Sequence, residues 1–244
     1  MQKSVLLCII SFLLFSCKRE NALDCFKSNG HYYEEVRDIG PFKSIRVENK
    51  INVKIIKGPQ YRLLIKTNKN LASNISTKVM DDVLTIENLN TCNFVRGYKH
   101  EINIEITTPN VSLVTNIGVG KVEFSDNYVQ DTLVARIESS GDIIINGTFN
   151  QIRTSSHGNG DMIVSGEANS FYVYSNGINF VHAENLIVKD YVFIESLTLG
   201  DCYINAKQLD ILDYHLESSG NLYFSGQPKQ IREIRSGKGK AIQL

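Results

Sequence analysis

Asp142 and Asp161 stand at the same place in two similar segments, each directly after a glycine and before an apolar run. If those segments fold as successive layers, their carboxylates come within about 5 Å, one strand spacing. A pair so placed could bind Ca²⁺ or act as acid and base on a glycan. Gly-Asp is also ordinary turn chemistry. Lys121 sits one segment before Asp142, and Ile178 interrupts the series before it resumes at Asp201. Opposite charges at neighbouring corners favour the turn reading over a cation cage. No H-E-x-x-H, G-x-S-x-G, phosphate loop or dinucleotide fingerprint occurs in the sequence. The five histidines, His157 and His215 among them, are scattered without ligand spacing. The sequence therefore implies no metal or cofactor, and the chain is expected not to be an enzyme.

Cys17 carries a different chemistry. Lys3 gives a positive start, Ser4 to Phe15 form a short apolar run, and small Ser16 precedes Cys17. This is the layout of a secretory signal, with a Cys after the cut that reads as a bacterial lipobox. The apolar run is too short to span a bilayer, which takes about 17–25 apolar residues. Residues 1–16 are thus expected to leave as a signal peptide, with Cys17 acylated (palmitate among its chains) and residues 17–32 forming a flexible tether. Removing residues 1–16 takes away Lys3 and no acid, leaving 25 basic and 26 acidic residues. With no basic excess to hold nucleic acid or an anionic membrane face, the membrane partner is reached through lipid on Cys17. Lys18, rather than Asp, after Cys17 points to the outer membrane. Cys25 and Cys92 could pair in an oxidising compartment; free thiols in a loop and a core fit as well.

The elements that would position these residues are strands. Val, Ile, Tyr, Phe and Thr are plentiful, and Trp is absent. The nearest helix candidate, Asn68 to Ser76, is short and interrupted by Asn70 and Asn74. Residues 33–110 read as alternating strands, with a break at Lys57 to Gln60 and a tight turn at Asp81-Asp82. From residue 111 the chain repeats. Glycines 120, 141, 160, 177, 200, 220 and 239 head segments at intervals of 21, 19, 17, 23, 20 and 19 residues. A period near twenty is too short for a propeller blade of about 40–45 residues and fits one turn of a solenoid. The expected fold is all-β: a parallel β-helix-like solenoid with coils of about twenty residues. The 33–110 strand and hairpin region would pack on the same stack, making 33–244 one domain. Second strands are expected to begin near Leu133, Ile152, Phe171, Leu186, Leu209 and Ile231.

Period two turns alternate residues inward. Val122, Ile143, Met162, Cys202 and Leu222 would form one inner file, and Phe124, Ile145, Val164, Val181, Ile204 and Phe224 another. Cys202 is then a core residue, not a reactive thiol. The corner glycines are expected to adopt backbone conformations closed to other residues. Between the files, pointing outward, stand Glu123, Ile144, Ile163, Phe180, Tyr203, Tyr223 and Ile242. Ile144, Ile163, Tyr203 and Tyr223 form a candidate docking or oligomer face, because contiguous exposed apolar rows mark partner surfaces. Alternatively the 33–110 strands cover this row. The 33–110 region is expected to close one end of the stack, and the Ile231 to Leu244 tail to cap the other.

The corners Ser-Ser-Gly-Asp at 139–142, Gly-Asn-Gly-Asp at 158–161 and Ser-Ser-Gly-Asn at 218–221 resemble those of a bacterial envelope family, the auto-transporter adhesin head GIN domain family. The segment Leu222 to Pro228, followed by Ser236-Gly237-Lys238-Gly239-Lys240, is similar to that family's closing signature. Pro41 to Ile45, Asn52-Val53 and Asp82 to Ile86 are similar to its opening. The resemblance spans roughly residues 35–244. It implies a parallel β-helix-like fold in a secreted or lipid-anchored protein, and little about chemistry. The leading expectation is an adhesin-like or scaffolding module that presents a binding face to an envelope protein, a glycan or a second copy of itself. A glycan-active enzyme using Asp142 and Asp161, and an envelope signalling or stress accessory, are the alternatives.

Overall fold

The computed structural model describes residues 28–91 and 100–244. Cys17, Cys25 and Cys92 lie outside them, and with them the lipidation and disulfide expectations. Strand makes up 63% of the chain and helix 2%, arranged as a β-solenoid of about seven turns. The all-β solenoid expected from the repeats is the fold observed.

The chain enters through β1 (Tyr32–Asp38), β2 (Ser44–Val47), β3 (Asn52–Lys57) and β4 (Arg62–Asn68). One helical turn, α1 (Lys69–Ala72), leads to β5 (Ile75–Met80), β6 (Val83–Asn88), β7 (Asn103–Thr108) and β8 (Leu113–Asn116). The coils proper use β9 (Val122–Phe124), β10 (Tyr128–Ile137) and three long strands. These are β11 (Ile143–Gly158), β12 (Met162–Gly177) and β13 (Val181–Thr198). The stack ends in β14 (Cys202–Asn205), β15 (Ile211–Leu216), β16 (Leu222–Ser225), β17 (Gln230–Arg235) and β18 (Ala241–Gln243).

Two faces run the length of the stack. On the first, β9 pairs with β3 and with the start of β11, and the series continues through the starts of β12 and β13 to β14, β16 and β18. On the second, β8 pairs with β2 and with the end of β10, then the ends of β11, β12 and β13, and finally β15 and β17. The 33–110 region extends both faces along the axis instead of lying over them. Its first face continues from β3 to β7, then to antiparallel β4 and β1; its second continues from β2 to β6 and antiparallel β5. The Asp81-Asp82 turn forms as expected, both residues at positive φ of 50° and 61°, and joins β5 to β6. At this end α1 buries Leu71 and Ala72. Arg37 donates to the carbonyls of Ile75 at 2.6 Å and Ala72 at 3.1 Å, supplying partners that no further coil provides.

Val122, Ile143, Met162, Cys202 and Leu222 lie in one interior file, each at most 2% exposed. Full burial of each aliphatic side chain contributes about 1.5–3 kcal/mol, and stacking repeats that gain at each coil. Val181 completes this file between Met162 and Cys202. Counting from Gly177 puts it in the neighbouring file, but Ala183 stands there, in register with Ile204.

That exchange has one cause. Gly177 pairs with Gly158, so the corner after Gly160 is filled by Asn179, not by Gly177. Strand β13 then carries two register shifts against β12, between Ile163 and Ser165 and between Ala168 and Ser170. Each inserts one residue, as a bulge does. The second-face strand of this coil therefore aligns Val192 and Leu212 with Phe171, replacing the expected Leu186 and Leu209. Asn179 is fully buried and donates to the Gly158 and Asn176 carbonyls at 2.9 and 2.8 Å, while the Ser175 hydroxyl donates to its Oδ1. A side chain that satisfies its own polar atoms takes the place of glycine there.

Of the seven glycines that head the repeats, Gly177 alone has the left-handed backbone expected of them, at φ 114°, and the others serve a different purpose. None of Gly120, Gly141, Gly160, Gly200 or Gly220 has positive φ. A Cβ on Gly141 would lie 2.1 Å from the Gly120 carbonyl oxygen, and one on Gly220 would lie 2.0 Å from that of Gly200. Close approach of successive coils, not backbone conformation, excludes side chains. Two boundaries differ as well. Residues 28–32 are docked rather than loose: Ser28, Asn29, Gly30 and His31 accept through their carbonyls from residues 68–70. The tail forms the last coil instead of a lid, since β17 and β18 continue both faces in parallel register. Inward places that hold Tyr214, Leu216 and Phe224 in one coil hold Glu233, Arg235 and Gln243 in the next.

Candidate functional site

The corner column answers the question raised by the paired aspartates. Asp142 Oδ1 accepts the Asp161 backbone N–H at 2.9 Å, and Asp161 Oδ1 accepts that of Phe180 at 2.8 Å. Asp201 Oδ1 accepts the Asn221 N–H at 2.8 Å. Asn221 and Asn52 do the same with neutral amide oxygens, for Lys240 at 3.0 Å and Lys121 at 3.1 Å. Each side chain thus satisfies a backbone donor in an adjacent coil, and a carboxamide does so as well as a carboxylate. The residue that interrupts the acidic column is Phe180, in register between Asp161 and Asp201; Ile178 belongs to the preceding bend. Among the described residues, no group of three or more His, Cys, Asp or Glu is placed to hold a metal ion.

The outward row between the inner files is brought together on the first face. Pairing runs Glu123, Ile144, Ile163, then His182, Tyr203, Tyr223 and Ile242. His182 holds the place expected for Phe180, the residue displaced by the Gly177 misalignment. Its ring stacks on Tyr203 with centroids 5.4 Å apart and planes within 4°, and Tyr203 stacks on Tyr223 at 5.0 Å and 9°. All of these side chains are half-buried, neither core nor free. Partial burial, then the nearby Asp201 carboxylate, raises the Tyr203 hydroxyl pKa. Because the described strands of the 33–110 region continue the faces along the axis, none of those strands lies over the row. Cys202, directly behind it, is free and buried, and burial pushes its thiol pKa up, consistent with a packing role.

Sequence reasoning missed an aromatic cluster on the second face. Tyr172 lies in register with Arg153 on one side and Phe193 on the other, and Phe193 with Asp213. The Arg153 guanidinium sits 4.7 Å over the Tyr172 ring, and the Tyr172 and Tyr191 centroids are 5.7 Å apart. Tyr191 donates to Asp213 Oδ2 at 3.0 Å. Burial, then that hydrogen bond, raises the Tyr191 pKa. Arg153 and Tyr172 keep one offset from Gly141 and Gly160, but Tyr191, Phe193 and Asp213 are displaced from it by the β13 bulges. A count from the corner glycines aligns Arg153 with Tyr172 but not the residues beyond β12.

The geometry defines a class: a continuous stack of β-coils with closed hydrophobic files, side-chain-bonded corners and two long lateral faces. A family described as "Putative auto-transporter adhesin, head GIN domain" matches residues 41–228, and the chain belongs to that family. The fold is shared with several crystal structures. A "putative adhesin" from Bacteroides fragilis NCTC 9343 has 23% identity and a TM-score of 0.78, over 88% of this chain and 97% of that one. A "putative lipid binding protein" from Parabacteroides distasonis ATCC 8503 has 15% identity and a TM-score of 0.65, over 89% and 98%. A "putative adhesin" from Parabacteroides merdae ATCC 43184 has 15% identity and a TM-score of 0.59, over 89% and 98%. No curated protein matches the chain. Among the described residues, no helix is long and apolar enough to cross a membrane.

Proposed function

We propose that the protein is a non-enzymatic, lipid-anchored module of the bacterial envelope, held by acyl chains on Cys17, that uses its first face to dock a partner. The observation that carries this reading is the unbroken half-exposed row Ile144, Ile163, His182, Tyr203 and Tyr223. A solvated solenoid face needs no such row, and apolar bodies with polar tips suit a contact surface. Membership of an adhesin-like family supports an envelope setting. Lys18 supports sorting to the outer membrane. The corner aspartates are assigned to coil-to-coil bonding, which supports a binding module over a glycan-active enzyme.

Two experiments test the reading. Metabolic labelling with a palmitate analogue should tag the wild type and not Cys17→Ser, which should leave the membrane fraction; labelling of Cys17→Ser would end the anchoring proposal. Crosslinking on whole envelopes should yield an adduct, to a neighbouring protein or a second copy, that Tyr203→Ser/Tyr223→Ser abolishes. An unchanged adduct pattern and association state in that variant would refute the docking face. Turnover of a glycan that is lost in Asp142→Asn would instead favour the enzyme reading.

A further inference from the structure

The second face is built differently from the stacked tyrosines and answers to a different ligand. On the first face, neighbouring rings are near-parallel, so they cover one another and turn their edges outward. On the second, Tyr172 and Tyr191 meet at 56° and Phe193 and His215 at 78°, so these half-exposed rings do not cover one another face to face, and Arg153 covers one face of Tyr172. Fixed hydrogen-bonding groups stand among them. Arg153 is held over Tyr172 and donates from Nε to Gln151 at 2.9 Å. Asp213 is held by the Tyr191 hydroxyl and lies 3.7 Å from His215 Nε2. Each retains hydrogen-bonding capacity, since a guanidinium has five N–H donors and a carboxylate about four acceptor sites.

The charges on this face balance. Around the aromatic cluster, Arg153 and Arg232, the latter in register with Asp213, are balanced by Asp213 and Glu195. Along the same face toward the closed end, Arg46 pairs with Glu48 at 2.8 Å and Arg136 with Glu138 at 3.7 Å. There the outward row from Ser155 runs on through Arg136 and Thr115 to Arg46, which line a hollow of about 500 Å³. A polyanion or a basic peptide gains nothing from such a surface. An uncharged chain with apolar C–H faces and many hydroxyls does. Its C–H groups meet the negative faces of the rings, and its hydroxyls meet planar, preplaced donors and acceptors.

We propose that the second face binds a neutral polysaccharide laid along the solenoid axis. Tyr172 and Tyr191 stack on sugar rings, while Arg153 and Asp213 hold hydroxyls. This site is separate from the first-face row and does not depend on what docks there.

Affinity electrophoresis of the full mature chain in detergent tests it, with β-1,3-glucan, xylan and galactomannan as neutral probes and polygalacturonate as the anionic one. At least one neutral polysaccharide should retard the protein. Tyr172→Ala/Tyr191→Ala should weaken that binding at least about tenfold, and Arg153→Ala severalfold, whereas Tyr203→Ser/Tyr223→Ser should leave it unchanged. If the double tyrosine variant fails to fold, Arg153→Ala and Tyr191→Phe carry the test, because Tyr191→Phe keeps the ring and drops only the bond to Asp213. The proposal is overturned if no neutral probe retards the protein or if only polygalacturonate does. Undiminished binding in the second-face variants, or loss through the first-face variant, overturns it equally.

Discussion

From Val122 to Gln243 the chain repeats one winding, whereas from Tyr32 to Asn116 it reaches the same inner files through hairpins and antiparallel strands. Ile65 joins Ile104 across an antiparallel pair, Ile104 joins Val53 across a parallel one, and Val53 joins Val122 of the first coil. All four are at most 2% exposed. Burial, which has no direction, accepts either strand sense. The coils add a demand of their own, close backbone contact at each corner. A Cβ on Gly141 would strike the carbonyl of the coil before, while one on Gly40 would meet nothing within 4 Å. Tolerance to substitution should therefore divide along the same line as topology.

The sharpest break between the regions is expected at glycine. Gly141→Ala should lose at least ~3 kcal/mol, the upper end of over-packing costs, and Gly40→Ala should stay within about 0.5 kcal/mol. Urea titration of both variants measures this, and equal losses would erase the distinction. Next in size is the closed end. Arg37→Ala leaves the Ile75 and Ala72 carbonyls without that donor and should cost about 1–3 kcal/mol. Hydrogen exchange should rise in α1 and β5 while the coils keep their protection.

A smaller effect marks the other end of the stack. Burial, then its hydrogen bond to Glu233, pushes the Tyr214 pKa up to about 12 from 10.0. The folded state holds this proton more tightly than the unfolded chain does. The resulting stability is complete below pH 10 and declines as pH rises from 10 through about 12. Alkaline melts should show this loss, and Tyr214→Phe should flatten it. The smallest change concerns the corner column. Asp161→Ala should cost about 1 kcal/mol through the lost bond to the Phe180 N–H. Asp161→Asn should be nearly silent, because Asn52 and Asn221 already do that work. A large cost for the amide would mean that the charge itself matters.

Much of this fold was legible because inward and outward residues alternate along each strand and the corner glycines mark a common origin. Val122, Ile143, Met162, Cys202 and Leu222 could be aligned from those two facts alone. The coil after Gly160 could not, since Gly177 mimics a corner while Asn179 occupies it and two bulges move the later residues out of step. The insertion of β7 between β3 and β4 was equally hidden, because local patterning reveals strands and tight turns but not distant partners. Of the candidate sites, the first-face row was found except for His182. The Tyr172 cluster went unseen because Tyr191, Phe193 and Asp213 reach Tyr172 only once the bulges are in place.

The last coil has a consequence for the company this molecule keeps. Parallel strands in register are the arrangement through which fibrils recruit one chain after another. Here Glu233 and Arg235 face the axis where the next winding would lie, and an incoming chain would have to strip both of water. Buried charge at that layer therefore works against elongation by templating.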